Sequence, residues 1–207
     1  MSDSKSLPTF LTNTDLHPSF DADIKDVHLI YDYAAQSPDG KPEKWRYEMW
    51  FQSSNRINYV RTHLLPLPAK PSHPTSFSNI SSPKQQAIHG GPMKGRINYQ
   101  TCTYQCIRPH ELWQCNWLEE TGTICSLVYD IKNSKITTLI AFSKGHWENA
   151  EQARGDKRDA EVFGRWRGLA KQGSQVERFM LSEQADILES FKGKGDLVPV
   201  EEGAETF

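Results

Sequence analysis

From residue 28 to residue 143 apolar and polar positions alternate with a period of two, the spacing of a strand that buries one face. Tyr31 and Tyr33 share one side of such a segment, and Trp45, Tyr47, Met49 and Phe51 share one side of the next. Trp113, Cys115, Trp117 and Glu119 form a third series, and Cys125, Leu127 and Tyr129 a fourth. The pattern predicts strands near 28–34, 45–52, 56–62, 95–107, 111–119, 123–131 and 135–143. Short turns such as Ser53-Ser54-Asn55 and Lys132-Asn133-Ser134 join several of them, and short connections make neighbouring strands antiparallel. Seven or eight such strands in sequence favour a mainly β fold, a closed antiparallel up-and-down barrel with space inside for side chains and one small ligand.

Residues 1–26 are polar, carry Pro8 and Pro18 and show no sustained period, so they read as an N-terminal arm to a single barrel domain over 27–207. Residues 64–86 hold Pro66, Pro68, Pro71, Pro74 and Pro83. Proline lacks the N–H a ladder needs, so this stretch is a long loop, either a lid over the barrel mouth or a bypass. After Trp147 the pattern changes. Residues 148–154 and 159–170 are rich in Ala, Glu, Arg and Leu and predict two helices separated by Gly155. A third helix is predicted over 183–192, with Ser182 as its cap and Ala185, Ile187, Leu188 and Phe191 on one stripe. One further strand is expected at 176–180, and the tail 147–192 is otherwise read as helices flanking the barrel.

Composition narrows the function classes. The chain has 207 residues, enough for one domain with a sizeable core. Its hydrophobic content is only 37%, but six Trp supply large buried area per side chain, which argues for a folded protein. Lys plus Arg number 24 against 26 Asp plus Glu, so no basic field draws in nucleic acid. No apolar run approaches the roughly 18 residues of a membrane span, and Met1 to Ser6 lack a signal pattern, so a cytoplasmic protein is expected. Cys102, Cys106, Cys115 and Cys125 match no zinc or redox spacing, and the histidines are scattered. Free core thiols and no metal site are expected.

Three sets of residues could carry chemistry. If Trp113, Cys115 and Trp117 face the barrel interior, Glu119 does too, and desolvation would raise its pKa above the usual value of about 4.3; at the strand's open end it would simply be hydrated. Tyr31 and Tyr33 offer two phenols about 6.6 Å apart along one strand face, which can grip one carboxylate, although alternating Tyr is also ordinary strand material. Arg96 follows the glycine-rich turn His89-Gly90-Gly91-Pro92-Met93-Lys94-Gly95, where a guanidinium can enter the barrel mouth and bind a carboxylate through two donors, or lie on the surface. That turn has no Gly-Lys-Ser/Thr ending and no following helix, so it is not read as a phosphate loop.

Ile30-Tyr31-Asp32-Tyr33, Trp45-Arg46-Tyr47-Glu48, His89 to Arg96, Asn116-Trp117-Leu118-Glu119-Glu120-Thr121-Gly122-Thr123 and Phe142-Ser143-Lys144-Gly145-His146-Trp147 resemble, in order, the signature blocks of the phenolic acid decarboxylases. No single block is specific; the order of five carries the resemblance, which covers about 28–147 with the proline-rich loop set aside. It implies a lipocalin-like barrel, a homodimer, and decarboxylation of para-hydroxycinnamic acids (p-coumaric, ferulic, caffeic) to 4-vinylphenols through a quinone methide, with no cofactor. By the same resemblance Tyr31 and Tyr33 bind the substrate carboxylate with Arg96 as their partner, and Glu119 takes the phenolic proton. Trp45, Tyr47, Trp117 and Thr121 match positions that line or neighbour the site. Strand parity places Cys125, Ile140 and Phe142 inward, where they would set pocket volume. The arm 1–26, the insertion 34–44, the loop 64–86 and the helical tail look like the fungal branch of the family. Two other readings stay open: a barrel that binds a small aromatic acid without turnover, and a related lyase or hydratase using the same intermediate.

Overall fold

The structure is a computed structural model that describes residues 14–36, 42–62 and 96–206. The proline-rich loop 64–86, the glycine-rich turn before Arg96 and residues 1–13 lie outside the described residues.

Inward positions of alternating segments need a common interior, and a closed sheet supplies one without leaving an unpaired edge. The strands are β1 (Val27–Gln36), β2 (Pro42–Ser53), β3 (Arg56–Thr62), β4 (Arg96–Arg108), β5 (Leu112–Leu118), β6 (Ile124–Asp130) and β7 (Lys135–Ser143), followed by a two-residue β8 (Gly155–Asp156) and a long β9 (Arg178–Lys192). Strands β1 to β7 pair with their neighbours in chain order, β3 with β4 included, and β9 joins β7 back to β1. All these pairings are antiparallel, so eight strands close an up-and-down barrel, as predicted; β8 adds a short parallel pairing to Arg96 and Ile97. The insertion 34–44 lengthens the first hairpin, and β1 still sets Tyr31 opposite Tyr47 and Tyr33 opposite Trp45.

The tail corrects two expectations. Residues 183–192, predicted as a third helix, belong to the barrel strand β9. Within β9 Leu181, Glu183, Ala185 and Ile187 are more buried than the residues between them, the period of a strand. Without this segment β7 and β1 would each leave a row of unpaired N–H and C=O groups, and that cost outweighs a local preference for helix. Among the described residues two helices follow β7. The helix expected over 148–154 is instead α2 (Lys144–Glu148), capped by Ser143, whose side chain accepts from the His146 N–H; turns follow it. The other, α3 (Ala160–Ala170), is capped by Asp159 and lies where it was predicted.

The two ends of the barrel are closed differently. The arm forms a short helix α1 (Phe20–Asp23), and Phe20 packs against Trp113 and Tyr104 at ring separations of 5.9 and 5.1 Å. Asp23 accepts from Trp113 Nε1 at 2.9 Å and from the His110 N–H at 2.8 Å, which ties the arm to the start of β5. Trp113 and Glu119 are six residues apart, about 20 Å along a strand, so Glu119 sits at the opposite end. There α2 and α3 pack together around Ala153, Val162, Trp166 and Leu169. Gly145 permits this contact, because a Cβ at that position would fall 2.1 Å from the Leu169 carbonyl oxygen.

Candidate active site

The barrel encloses a cavity lined by residues from both of its walls. On the β1–β2 wall stand Tyr31, Tyr33 and Tyr47, which pack edge-to-face and stacked with ring centroids 5.3 to 5.7 Å apart. Tyr33 Oη lies 2.5 Å from Thr138 Oγ1, and Tyr31 Oη points to Met49 Sδ at 4.0 Å. Burial, and then the neighbouring phenols, push the hydroxyl of Tyr31 well above its ordinary pKa; burial also raises Tyr33, so both stay neutral.

In an eight-stranded barrel β5 lies across the lumen from β1, and the residue that follows it is Glu119. The turn 119–123 aims this side chain inward: the Glu119 N–H donates to the Thr123 carbonyl, and the Gly122 N–H returns to the Glu119 carbonyl at 2.8 Å. Gly122 has φ +78°, a left-handed conformation natural to glycine. Glu119 Oε2 accepts from Arg96 Nη1 at 2.7 Å and from Thr121 Oγ1 at 3.3 Å, with His146 Nδ1 4.0 Å away. Its Oε1 accepts from the Tyr59 hydroxyl, and the Cys125 thiol lies 3.9 Å off. Behind Arg96 the guanidinium rests 4.2 Å over the Trp166 ring, so α3 supports the site from below.

Two expectations change here. Burial does push the Glu119 carboxyl upward, but Arg96, His146 and the Tyr59 hydroxyl together overcome it and hold the group below the usual carboxylate range. The predicted rise in basicity considered desolvation alone. Arg96 was expected to join Tyr31 and Tyr33 on a substrate carboxylate; the carboxylate it holds in the structure is that of Glu119.

Tyr47, Trp117, Cys125, Ile140 and Phe142 line the cavity together with Tyr31, Tyr33, Arg96 and Glu119. Trp45 and Thr121 do not: Trp45 is packed in the hydrophobic core, and Thr121 touches Glu119 from behind. The sequence reading missed Tyr59, Thr138, Met49 and Leu127 as lining residues. Met49 and Leu127 were already on faces marked as buried by alternation. Tyr59 had no such sign, because its link to Glu119 spans 60 residues and exists only once β3 meets β4. Among the described residues no three His, Cys, Asp or Glu side chains come together as a metal site.

Compared with known proteins, the chain matches no family model and no curated sequence.

Proposed function

We propose that this chain decarboxylates para-hydroxycinnamic acids, p-coumaric, ferulic and caffeic, to 4-vinylphenols and carbon dioxide without a cofactor. The observation that carries this reading is the shared lining of one cavity: neutral phenol donors on β1 and β2 line it together with a buried Arg96–Glu119–Tyr59 set from β4, the turn after β5, and β3. A ligand with a carboxylate at one end and an ionisable hydroxyl at the other suits both walls at once.

Direct loss of carbon dioxide from an alkenyl carbon would leave a vinyl anion with no place for its charge. A para-hydroxyl provides one. Glu119 takes the phenolic proton while the carbon bearing the carboxylate gains a proton, and the ring becomes a quinone methide. The electrons of the breaking C–C bond then return to the ring, and Glu119 gives its proton back to the phenolic oxygen. One external proton is consumed and one carbon dioxide released.

In water a phenol of pKa about 10 and a carboxylate of about 4.3 differ by nearly 6 pH units, roughly 8 kcal/mol. The depressed pKa of Glu119 adds to that gap, and Arg96 reduces it. As the proton moves, negative charge passes from Glu119 to the adjacent substrate oxygen but stays beside the same guanidinium, whose Nε and Nη2 have no hydrogen-bond partner among the described residues. The charge therefore moves without losing its counterion. At the other end, Tyr31 and Tyr33 hold the carboxylate with neutral donors. A cation there would bind the charged ground state more tightly than the departing neutral carbon dioxide and slow the reaction. One of these hydroxyls supplies the proton to carbon.

The reading includes a homodimer, as the resemblance implies. In support, Ile124, Leu139 and Met180 are exposed apolar side chains on the paired outer faces of β6, β7 and β9.

The test is carbon dioxide and vinylphenol release from p-coumarate and ferulate by the purified protein, alongside cinnamate and a Glu119→Gln variant. Turnover of the two phenolic acids only, reduced about 100-fold or more in the variant, is the expected result. Tight binding without turnover would leave a ligand-binding barrel. A hydrated product would point to the related lyase chemistry.

A further inference from the structure

A chain of buried polar side chains leads away from the cavity behind Glu119. The Tyr59 hydroxyl, which donates to Glu119, accepts from Asn98 Nδ2 at 2.7 Å. Asn98 Oδ1 accepts from Gln100 Nε2 at 3.1 Å and from the Tyr99 N–H at 2.9 Å. Gln100 Nε2 also donates to Glu120 Oε2 at 2.7 Å. Lys157 ends the chain: its ammonium is paired with Glu120 Oε1 and donates to the Tyr99 carbonyl at 2.6 Å and to Gln100 Oε1 at 3.3 Å. All six side chains from Glu119 to Lys157 are buried, and the last four do not line the cavity. A buried ion pair is a weak source of stability, because desolvation offsets its attraction. Its direct connection to the site points to another role.

The direction of each bond follows from the lysine end. An ammonium has three hydrogens and no lone pair, so Gln100 must turn its Oε1 toward Lys157. Both hydrogens of the Gln100 amide are then directed at Glu120 and Asn98. Asn98 must answer with Oδ1, which also takes the Tyr99 N–H, so its Nδ2 faces Tyr59. A phenol that accepts from an amide has one hydrogen of its own, and the remaining partner for it is Glu119.

We propose that the Lys157–Glu120 ion pair is a positioning element of the site, which acts through Gln100 and Asn98 to fix the Tyr59 hydroxyl as a donor to Glu119 and so to keep Glu119 ionised inside the barrel. Glu119 remains a carboxylate at full burial because its donors are held in place in advance, and this chain holds one of them. Its effect on catalysis rests on the decarboxylase reading; its effect on Glu119 does not.

The experiment is an infrared titration of the Glu119 carboxylate in the full chain, isolated by difference against Glu119→Gln and performed without substrate. It compares the parent, Tyr59→Phe, the joint variant Lys157→Met with Glu120→Gln, and all three changes together. The joint variant removes one positive and one negative charge, so net charge is unchanged. The Glu119 midpoint is expected to shift upward in Tyr59→Phe and in the joint variant, and the joint change is expected to add nothing once Tyr59 is Phe. A folded joint variant with an unchanged midpoint overturns the proposal. So does an equal shift in the Tyr59→Phe background, because the pair would then act by charge and not through Tyr59. Asn98→Asp serves if the joint variant fails to fold, since a carboxylate there takes the Tyr59 hydrogen while still accepting from Gln100 and Tyr99. Its upward shift is expected to be larger with Tyr59 than in Tyr59→Phe, and an equal shift counts against the proposal. Because no substrate is present, a parent chain that releases no carbon dioxide removes the decarboxylase reading and leaves this result standing.

Discussion

Tyr33 and Thr138 both line the cavity, and their hydroxyl oxygens are 2.5 Å apart. Thr138 can accept or donate, so Tyr33 can turn its hydrogen toward an entering carboxylate while Thr138 adjusts. Burial keeps the phenol protonated, and a neutral donor to a charged acceptor contributes about 1.5–3 kcal/mol. Under the proposed function Tyr33→Phe is therefore expected to weaken substrate binding about tenfold or more, seen as a rise in the Kd of a non-reacting analogue. Unchanged affinity for p-coumarate would remove Tyr33 from the carboxylate end. The same scale explains why Glu119 differs from the simple expectation for a buried acid: three donors lie within hydrogen-bond distance of its two oxygens. A carboxylate supplied with such donors favours its charged form even where water is excluded.

At the scale of elements, α3 is more than a surface helix. Its Trp166 is fully buried and carries the Arg96 guanidinium on its face at 4.2 Å. Trp166→Ala is expected to cost about 3–5 kcal/mol of stability, read from urea unfolding, and to lower turnover further than Val162→Ala, because Arg96 loses its platform. A loss below about 1 kcal/mol would show that α3 does not anchor this end. Strand β9 makes the corresponding point about closure. Its helical stripe at Ala185, Ile187, Leu188 and Phe191 is present in the sequence, yet Leu188 and Phe191 are exposed and Ala185 is buried between Tyr33 and Ile136. Which period a segment with both patterns adopts is decided by the partners on either side.

For the molecule as a whole, two carboxylates at opposite ends of the barrel couple folding to pH. Burial raises Asp23, but the His110 N–H, Trp113 and further hydrogen bonds bring it below its ordinary value; Glu119 is likewise depressed, by Arg96 first. A group depressed in the folded state binds fewer protons there than in the unfolded chain. Its contribution to stability is complete above its unfolded pKa, 3.8 for Asp23 and 4.5 for Glu119, and is lost as pH falls through the folded value. The urea midpoint is expected to decline below about pH 4.5, and Asp23→Asn to flatten that decline. An equally steep decline in the variant would show that the latch between arm and barrel is not ionic.

The strands from β1 to β7 and their inward faces were legible in the sequence, because a period of two is a local property; whether Glu119 is buried or hydrated at the end of its strand was left open there, and the structure buries it. The same local reading placed α3 correctly. What the sequence left open depends on residues far apart in the chain. Closing the barrel made residues 178–192 a strand, by supplying two ladder edges that had to be satisfied. Closure also brought Tyr59, Arg96 and Glu119 together from β3, β4 and the turn after β5, and with them the ionisation of the site. A residue's own type and neighbours predict that burial will disfavour its charge, but only the tertiary structure determines which groups stand around that charge, and here those groups reverse the direction of the shift at Glu119.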